Sequence, residues 1–414
     1  MLECKFLGKR EKTGGNRVVH LTLLLVPGAI VMTFLFTLVL DRVVGWVLGP
    51  PGLIYPPGSV AHYQTFEYQF TARINRLGFR DREFVPVRNP GCRVMVLGDS
   101  FTYGWGVELS QCWVKILEGN LRKKGLALEM ANLGKPGGDP AYYASLAERA
   151  IRKLRPQVVV VAVLQGDDLI SLKYGKQFPS FWDGVGRLLY PNTFKAPRGA
   201  YKVISQEETR REYRQQAEKI LKGLQCEAKK RFEGLDGLVK QVFLQGDLNP
   251  AAINMALKHP DYFGEPLRLD DPEIAGLVGV MAAHFGSINR TAWEYGARVV
   301  IVSVPNDIYV SEVNLRNREK MGYRVSAAML ITEAPDEAIR QAGGRAGLPV
   351  IEVTAIFREA AKGRQLYFPY DGHFTPAGHQ LFAEALTPMV EKYLELQQPC
   401  QAMTSSGDYS RNWD

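Results

Sequence analysis

Val94-Met95-Val96-Leu97-Gly98-Asp99-Ser100-Phe101-Thr102 is an apolar run of β-forming residues that halts on a Gly-Asp-Ser turn. Residues 94–97 read as a strand and residues 107–121 as a helix with apolar faces, so Ser100 falls between the two. A hydroxyl at a strand-to-helix turn stands above the sheet, beside backbone N–H groups able to stabilise an oxyanion, and that location suits acyl chemistry. Gly, Asp and Ser are also what an ordinary turn or helix cap uses, so this turn does not decide function by itself.

The weight comes from Tyr367-Phe368-Pro369-Tyr370-Asp371-Gly372-His373-Phe374-Thr375-Pro376-Ala377-Gly378-His379. Asp371 and His373 stand together just before a final helix, whose first turn suits Pro376 and whose apolar face is Leu381, Phe382, Ala385, Leu386 and Val390. A serine hydroxyl is a poor nucleophile until a base takes its proton, and a carboxylate holds that base in the useful tautomer. His379 lies in the same block; it reads as a packing residue, with a role as the base the competing reading. Asp99 reads as a cap or brace of the serine turn, and Asp168 as structural.

At these residues the chain resembles the SGNH, or GDSL-type, hydrolases, over residues 91–392. The family's second block resembles Asn132-Leu133-Gly134-Lys135-Pro136-Gly137-Gly138 after a strand at 128–131, and its third resembles Leu164-Gln165-Gly166-Asp167-Asp168 after an apolar strand at 158–163. The resemblance implies an α/β fold, a flavodoxin-like three-layer parallel sheet built from the runs near Val94, Leu128, Val158, Val299 and Val350. It implies acyl transfer through a serine ester, with Ser100 as nucleophile, His373 as base and Asp371 orienting the imidazole. Ser100, Gly137 and residue 167 would line the oxyanion site. The third block departs from the pattern, because Asp167 stands where the family carries an Asn that donates to the oxyanion. An ionised carboxylate only accepts hydrogen bonds, so Asp167 serves as a donor only if burial keeps it protonated; otherwise it is turned away and another donor replaces it. Ser303-Val304-Pro305-Asn306-Asp307 reads as a loop after a core strand, with Asn306 lining the pocket or acting as that substitute donor the competing reading.

Residues 21–40 are apolar and uncharged, long enough to span a bilayer, and Lys5, Lys9, Arg10, Lys12 and Arg17 precede them. The positive-inside rule then puts residue 1 in the cytoplasm and the enzyme-like body outside. An uncleaved single-pass anchor is the preferred reading and a cleaved signal peptide the alternative. Gly49-Pro50-Pro51-Gly52 and Tyr55-Pro56-Pro57-Gly58 read as a stiff exit from the membrane. Asn75-Arg76-Leu77-Gly78-Phe79-Arg80-Asp81 resembles the lead-in that bacterial members of the family carry before the serine; it reads as an edge hairpin, with Arg80 meeting an acidic substrate group the alternative.

The expected organisation is a basic cytoplasmic arm at 1–18, an anchor at 19–48, a linker and lead-in at 49–90, a hydrolase-like domain at 91–395 with a helical insertion near 170–290, and a polar tail at 396–414. The insertion mixes Arg210, Arg211, Lys219 and Lys222 with Glu207, Glu208, Glu212 and Glu218, which suggests exposed helices forming a lid or side wall rather than a nucleic-acid surface. Phe178, Phe181, Trp182 and Tyr190 form an aromatic cluster at its start, read as core packing or as a sugar- or acyl-binding cleft. The net charge of +8 owes part of its excess to the basic arm, which favours anionic lipid. The five cysteines, Cys4, Cys92, Cys112, Cys226 and Cys400, are too widely spaced for a zinc motif, and one or two external disulfides fit the expected topology. No metal, cofactor or nucleic acid is expected. The partners expected are the membrane and an acylated small molecule or glycan.

Ester hydrolysis outside the cytoplasm is the leading expectation. An O-acyltransferase acting on a cell-surface polysaccharide uses the same three residues, and a binding protein that has lost turnover is the third reading.

Overall fold

The computed structural model describes residues 14–49, 51–84, 92–174, 185–186, 188–194 and 203–397. Most of the basic arm, most of the polar tail, Cys4, Cys400, Phe178, Phe181 and Trp182 therefore lie outside the described residues. The chain forms two compact units, residues 1–51 with 179–196 and residues 52–178 with 197–414.

In the first unit a helix spans Gly14–Leu48. Its segment Leu25–Leu48 has a mean hydropathy of 1.9 and is long and apolar enough to cross a bilayer. Leu25, Ile30, Phe36 and Trp46 are exposed, as side chains that face lipid would be. Asp41 is buried: its carboxylate accepts from the Asn192 N–H at 3.1 Å and from Thr193 Oγ1 at 2.7 Å.

The second unit holds two sheets. Strands β1 (Val60–Gln64) and β2 (Gln69–Arg73) form an antiparallel hairpin, Val60 opposite Arg73. The main sheet is built from β3 (Cys92–Gly98), β4 (Leu128–Gly134), β5 (Val158–Leu164), β7 (Arg298–Val304) and β8 (Val350–Ile351). Strand β6 (Val203–Ile204) instead joins the hairpin, parallel to β1.

All pairings in the main sheet are parallel, in the order β4-β3-β5-β7-β8. Renumbered within this sheet the order is 2-1-3-4-5, the flavodoxin-like arrangement, in which ligands gather beyond the carboxyl ends of the strands where the order reverses. Strand β3 is at that reversal, and it leads into Ser100. The five strands are those expected from the sequence.

Strand side chains alternate between two cores, as the period of two requires. Met95, Leu97, Val159, Val161 and Ile301 pack toward the helices Pro140–Leu154, Pro272–Glu294 and Ala334–Arg345. Val94, Val96, Val160, Ala162 and Val302 pack toward Trp113–Lys123, Thr354–Ala361 and Pro376–Gln397. These are the three layers. Burial on both faces explains why the strands read as continuous apolar runs.

Residues 52–84 are packed into this unit: Leu53, Ile54, Leu77, Phe79 and Phe84 join the first core. The Asn75 to Asp81 segment is not an edge hairpin but a buried turn, in which Asn75 Oδ1 takes the N–H groups of Leu77 and Phe79 at 3.0 and 3.1 Å. The hairpin lies just before it, in β1 and β2. Helices Gln206–Lys222, Cys226–Glu233, Gly237–Gln245 and Pro250–Lys258 lie within the expected insertion, whereas the last helix of that range, Pro272–Glu294, packs on the main sheet.

Candidate active site

The serine turn is fixed from three sides. Asp99 caps the short helix Ser100–Tyr103, its Oδ1 accepting from the Phe101 N–H at 2.9 Å. The Lys135 N–H donates to Gly98 O at 2.9 Å, which ties the loop after β4 to the end of β3. Gly134 lies so close beneath the serine helix that a Cβ there would run into the backbone of Thr102 and Tyr103.

Arg80 supplies the third brace. It is fully buried, stacks between Phe70 and Tyr103 at 4.9 and 5.0 Å, and donates to the carbonyls of Tyr103, Gly104, Val107 and Thr71 at 2.7–3.2 Å. The alternative that Arg80 meets a substrate acid is therefore not realised. A guanidinium has enough N–H groups to gather several carbonyls at once, and the chain leaving the serine helix needs a partner for each.

Ser100 Oγ lies 2.7 Å from His373 Nε2, and His373 Nδ1 is hydrogen-bonded to Asp371 Oδ1. The carboxylate accepts, so Nδ1 carries the proton and Nε2 presents its lone pair to the serine hydroxyl. Asp371 Oδ2 accepts from the Tyr68 hydroxyl at 2.9 Å, and that hydroxyl accepts from Trp105 Nε1 at 2.6 Å. Burial works to push Asp371 up, but the facing His373, the Tyr68 hydroxyl and Arg318 outweigh it and hold its pKa below the usual range. Burial likewise opposes a charged His373, and the Asp371 carboxylate outweighs it, so the imidazole pKa is raised.

The loop that carries both residues is clamped from beneath. Arg318 pairs with Asp307 at 2.9 Å and donates to the carbonyls of Tyr370 and Asp371 at 3.2 and 3.1 Å. Asn314 and Asn317 hold the carbonyls of Phe368 and Pro369 at 2.9 and 3.1 Å. Gly372 has a φ of 83°, and a Cβ there would collide with the Arg318 guanidinium, so only glycine suits this bend.

Of the expected oxyanion residues, Gly137 sits in the loop after β4 with a φ of 67°, and Asp167 opens the helix Asp167–Tyr174 after β5. Asp167 Oδ1 accepts from the Tyr262 hydroxyl at 2.8 Å. Burial raises the Asp167 pKa, the Tyr262 bond and the nearby His373 pulling against it. Asp99 is pushed up to about 7, first by burial and then by the charge of Asp167. Asp168 lies well above the carboxylate range, from burial and then the charges of Asp99 and Asp167, and its oxygens accept from the Tyr143 hydroxyl and the Leu164 N–H, both at 3.0 Å. A charge on Asp167 thus opposes the ionisation of both Asp99 and Asp168.

Two competing readings are set aside by the geometry. Asn306 is buried and donates through Nδ2 to Gln165 O at 3.1 Å, while its own N–H donates to Gln165 Oε1, so it braces the strand ends. His379 is buried with Nδ1 accepting from the Trp113 N–H at 3.3 Å, and burial pushes its pKa down to about 3. It is a packing residue, as expected.

Glu67, Tyr68, Trp105, Tyr262 and Arg318 were not singled out in the sequence. The alternation of Phe66, Tyr68, Phe70 and Ala72 is the signal that marks a strand near Tyr68; nothing local marks the others. Among the described residues no group of three or more His, Cys, Asp or Glu side chains is placed to hold a metal ion. Cys92 is disulfide-bonded, whereas Cys112 and Cys226 are free.

No family model and no curated protein matches the chain. Among solved structures it is similar to the esterase EstA from Pseudoalteromonas sp., with 8% identity over 73% of this chain and 98% of that one and a TM-score of 0.36. It is similar also to a lipase/acylhydrolase from Enterococcus faecalis, with 12% identity over 76% of this chain and 100% of that one and a TM-score of 0.35. A G-D-S-L family lipolytic protein from Veillonella parvula matches with 11% identity over 72% of this chain and 97% of that one, at a TM-score of 0.33.

Proposed function

We propose that the protein is a serine esterase of the SGNH type, anchored in a membrane and working on an ester outside the cytoplasm. The observation that carries this reading is the unbroken chain of hydrogen bonds from Ser100 through His373 to Asp371 and Tyr68. His373 takes the Ser100 proton as Oγ attacks the acyl carbon. The imidazolium that forms is stabilised by Asp371 and then protonates the leaving alcohol, which departs with the original C–O electron pair. Water, its proton taken by His373, attacks the serine ester; release of the acid returns Ser100 to its hydroxyl form.

The tetrahedral oxyanion is held by the N–H groups of Ser100 and Gly137 and by Asp167 as a neutral acid. With Oδ1 engaged by Tyr262, the other oxygen carries the proton and donates where an asparagine would. Burial supports that protonated form, with the charge of Asp139 adding to it.

The apolar segment Leu25–Leu48 supports the anchor, and a disulfide at Cys92 supports an oxidising compartment. The test is hydrolysis of p-nitrophenyl acetate by the full chain in detergent. The reading predicts turnover that is lost in Ser100→Ala; activity unchanged in that variant, or none in a folded wild type, overturns it.

A further inference from the structure

Asp371 is gripped at its backbone as well as at its carboxylate, and both grips come from one turn. Glu67 Oε1 accepts from the Tyr370 N–H at 2.9 Å and Oε2 from the Asp371 N–H at 2.7 Å. Its neighbour Tyr68 holds Asp371 Oδ2. Glu67 and Tyr68 belong to the 65–68 turn that joins β1 to β2, and that turn is itself closed by a Thr65 N–H to Tyr68 O bond of 2.9 Å. The insertion backs it, since the Phe66 N–H donates to Asp247 O and the Phe66 ring packs on Tyr370 at 5.7 Å.

We infer that Glu67 is a positioning residue for the proposed reaction: as a carboxylate it holds the Asp371 and His373 loop in register with Ser100, and on protonation it releases that hold. The inference rests on the serine-esterase reading. Two adjacent N–H donors need two acceptor oxygens, which a carboxylate offers symmetrically. A carboxylic acid turns one of the two into an O–H donor, which faces an N–H and repels it.

The groups around Glu67 make this change accessible near neutrality. Burial pushes its pKa up to about 7, with the Asp371 charge adding to it and the two N–H groups and Arg318 pulling back. From the insertion, Tyr213 faces Asp371, and Asp247 is tied up by Arg210 at 2.5 Å. No other carboxyl bonds the Tyr370 or Asp371 N–H among the described residues. Protonation of Glu67 leaves both donors half-buried without a good acceptor, and the loop loses the hold on its N–H groups, while the holds of Arg318, Asn314 and Asn317 on its carbonyls remain.

The test uses the full chain in detergent and kcat/KM on p-nitrophenyl acetate from about pH 5 to about pH 9, the range in which a neutral base and an ionised carboxylate titrate. In the wild type two protonations, on His373 and Glu67, steepen the acidic limb toward a slope of two. Glu67→Gln keeps one acceptor oxygen, lowers kcat by roughly tenfold to a hundredfold with KM little changed, and reduces the slope to one. Tyr68→Phe, which spares Glu67, lowers kcat and keeps the steep limb. A slope of one in the wild type, or an identical limb in Glu67→Gln, overturns the inference. A readout that needs no turnover separates this from failure of the esterase reading: the low-field proton of the His373 to Asp371 bond shifts in two steps on acidification in the wild type and in one step in Glu67→Gln. A single step in the wild type contradicts the inference whether or not the protein hydrolyses esters.

Discussion

The Tyr262 hydroxyl donates to Asp167 Oδ1 at 2.8 Å across 95 residues of sequence, joining the segment that follows the charged helices to the carboxyl edge of the main sheet. That bond engages one oxygen of Asp167, Oδ1, and leaves the other free of the phenol. Under the proposed reading the phenol serves the carbonyl oxygen of the acid and the acid O–H serves the oxyanion, an arrangement that lasts only while Asp167 stays protonated.

Asp167→Asn is therefore expected to keep or raise activity at neutral pH and to remove the alkaline limb. Asp167→Ala is expected to lose on the order of 10²- to 10³-fold in kcat, the cost of one oxyanion donor. The sign follows from the raised pKa: the wild-type donor is present below that pKa and is lost as pH rises through it. Initial rates across pH check this, and an alkaline limb shared by wild type and Asp167→Asn counts against the neutral-acid role.

Asp371→Asn removes the charge that raises the His373 pKa and reverses the preferred tautomer. On the proposed reading a loss of kcat on the order of 10⁴-fold is expected, the cost of removing the carboxylate that holds a catalytic histidine in its tautomer. Because Asp371 is what outweighs burial at His373, the acidic limb should move to lower pH in the variant. Movement to higher pH contradicts the assignment.

Arg80→Ala leaves four backbone carbonyls without their buried donor. At about 1–3 kcal/mol for each acceptor left unsatisfied and not reached by water, a loss of about 3 kcal/mol or more in stability is expected, together with loss of activity. Arg80→Lys should rescue little, because a single ammonium cannot reproduce the planar fork. Denaturant unfolding measures both; near-wild-type stability of Arg80→Lys would show that charge alone suffices.

Gly134→Ala places a methyl group against the backbone of Thr102 and Tyr103. Overpacking of this kind costs about 1–3 kcal/mol, and here the strain falls on the helix that carries Ser100. Activity should fall further than stability does. A variant with a lowered melting temperature and unaltered kcat would place the strain elsewhere.

The main sheet was legible because its strands are buried on both faces and so announce themselves as apolar runs, as at residues 94–97 and 158–163. The serine turn and the Asp371 to His373 pair were legible because each lies beside such an element. What the sequence did not show depends on side chains reaching across the fold. Arg80 reads as part of an edge hairpin or as a contact for a substrate acid until the carbonyls of the serine loop surround it. Glu67 lies in the expected linker with nothing local to mark it, and its partners, the N–H groups of Tyr370 and Asp371, lie 303 and 304 residues later. Asn306 had the right chemistry for a donor, but the neighbouring strand end claimed its amide.

On the proposed reading Ser100 is a nucleophile activated by His373. The most direct test is labelling of the full chain, in detergent, with a serine-reactive fluorophosphonate, followed by mass spectrometry of the modified peptide. One adduct is expected, on Ser100, absent from Ser100→Ala and strongly slowed in His373→Ala. No adduct on a folded wild-type protein, or equal labelling in His373→Ala, would contradict it.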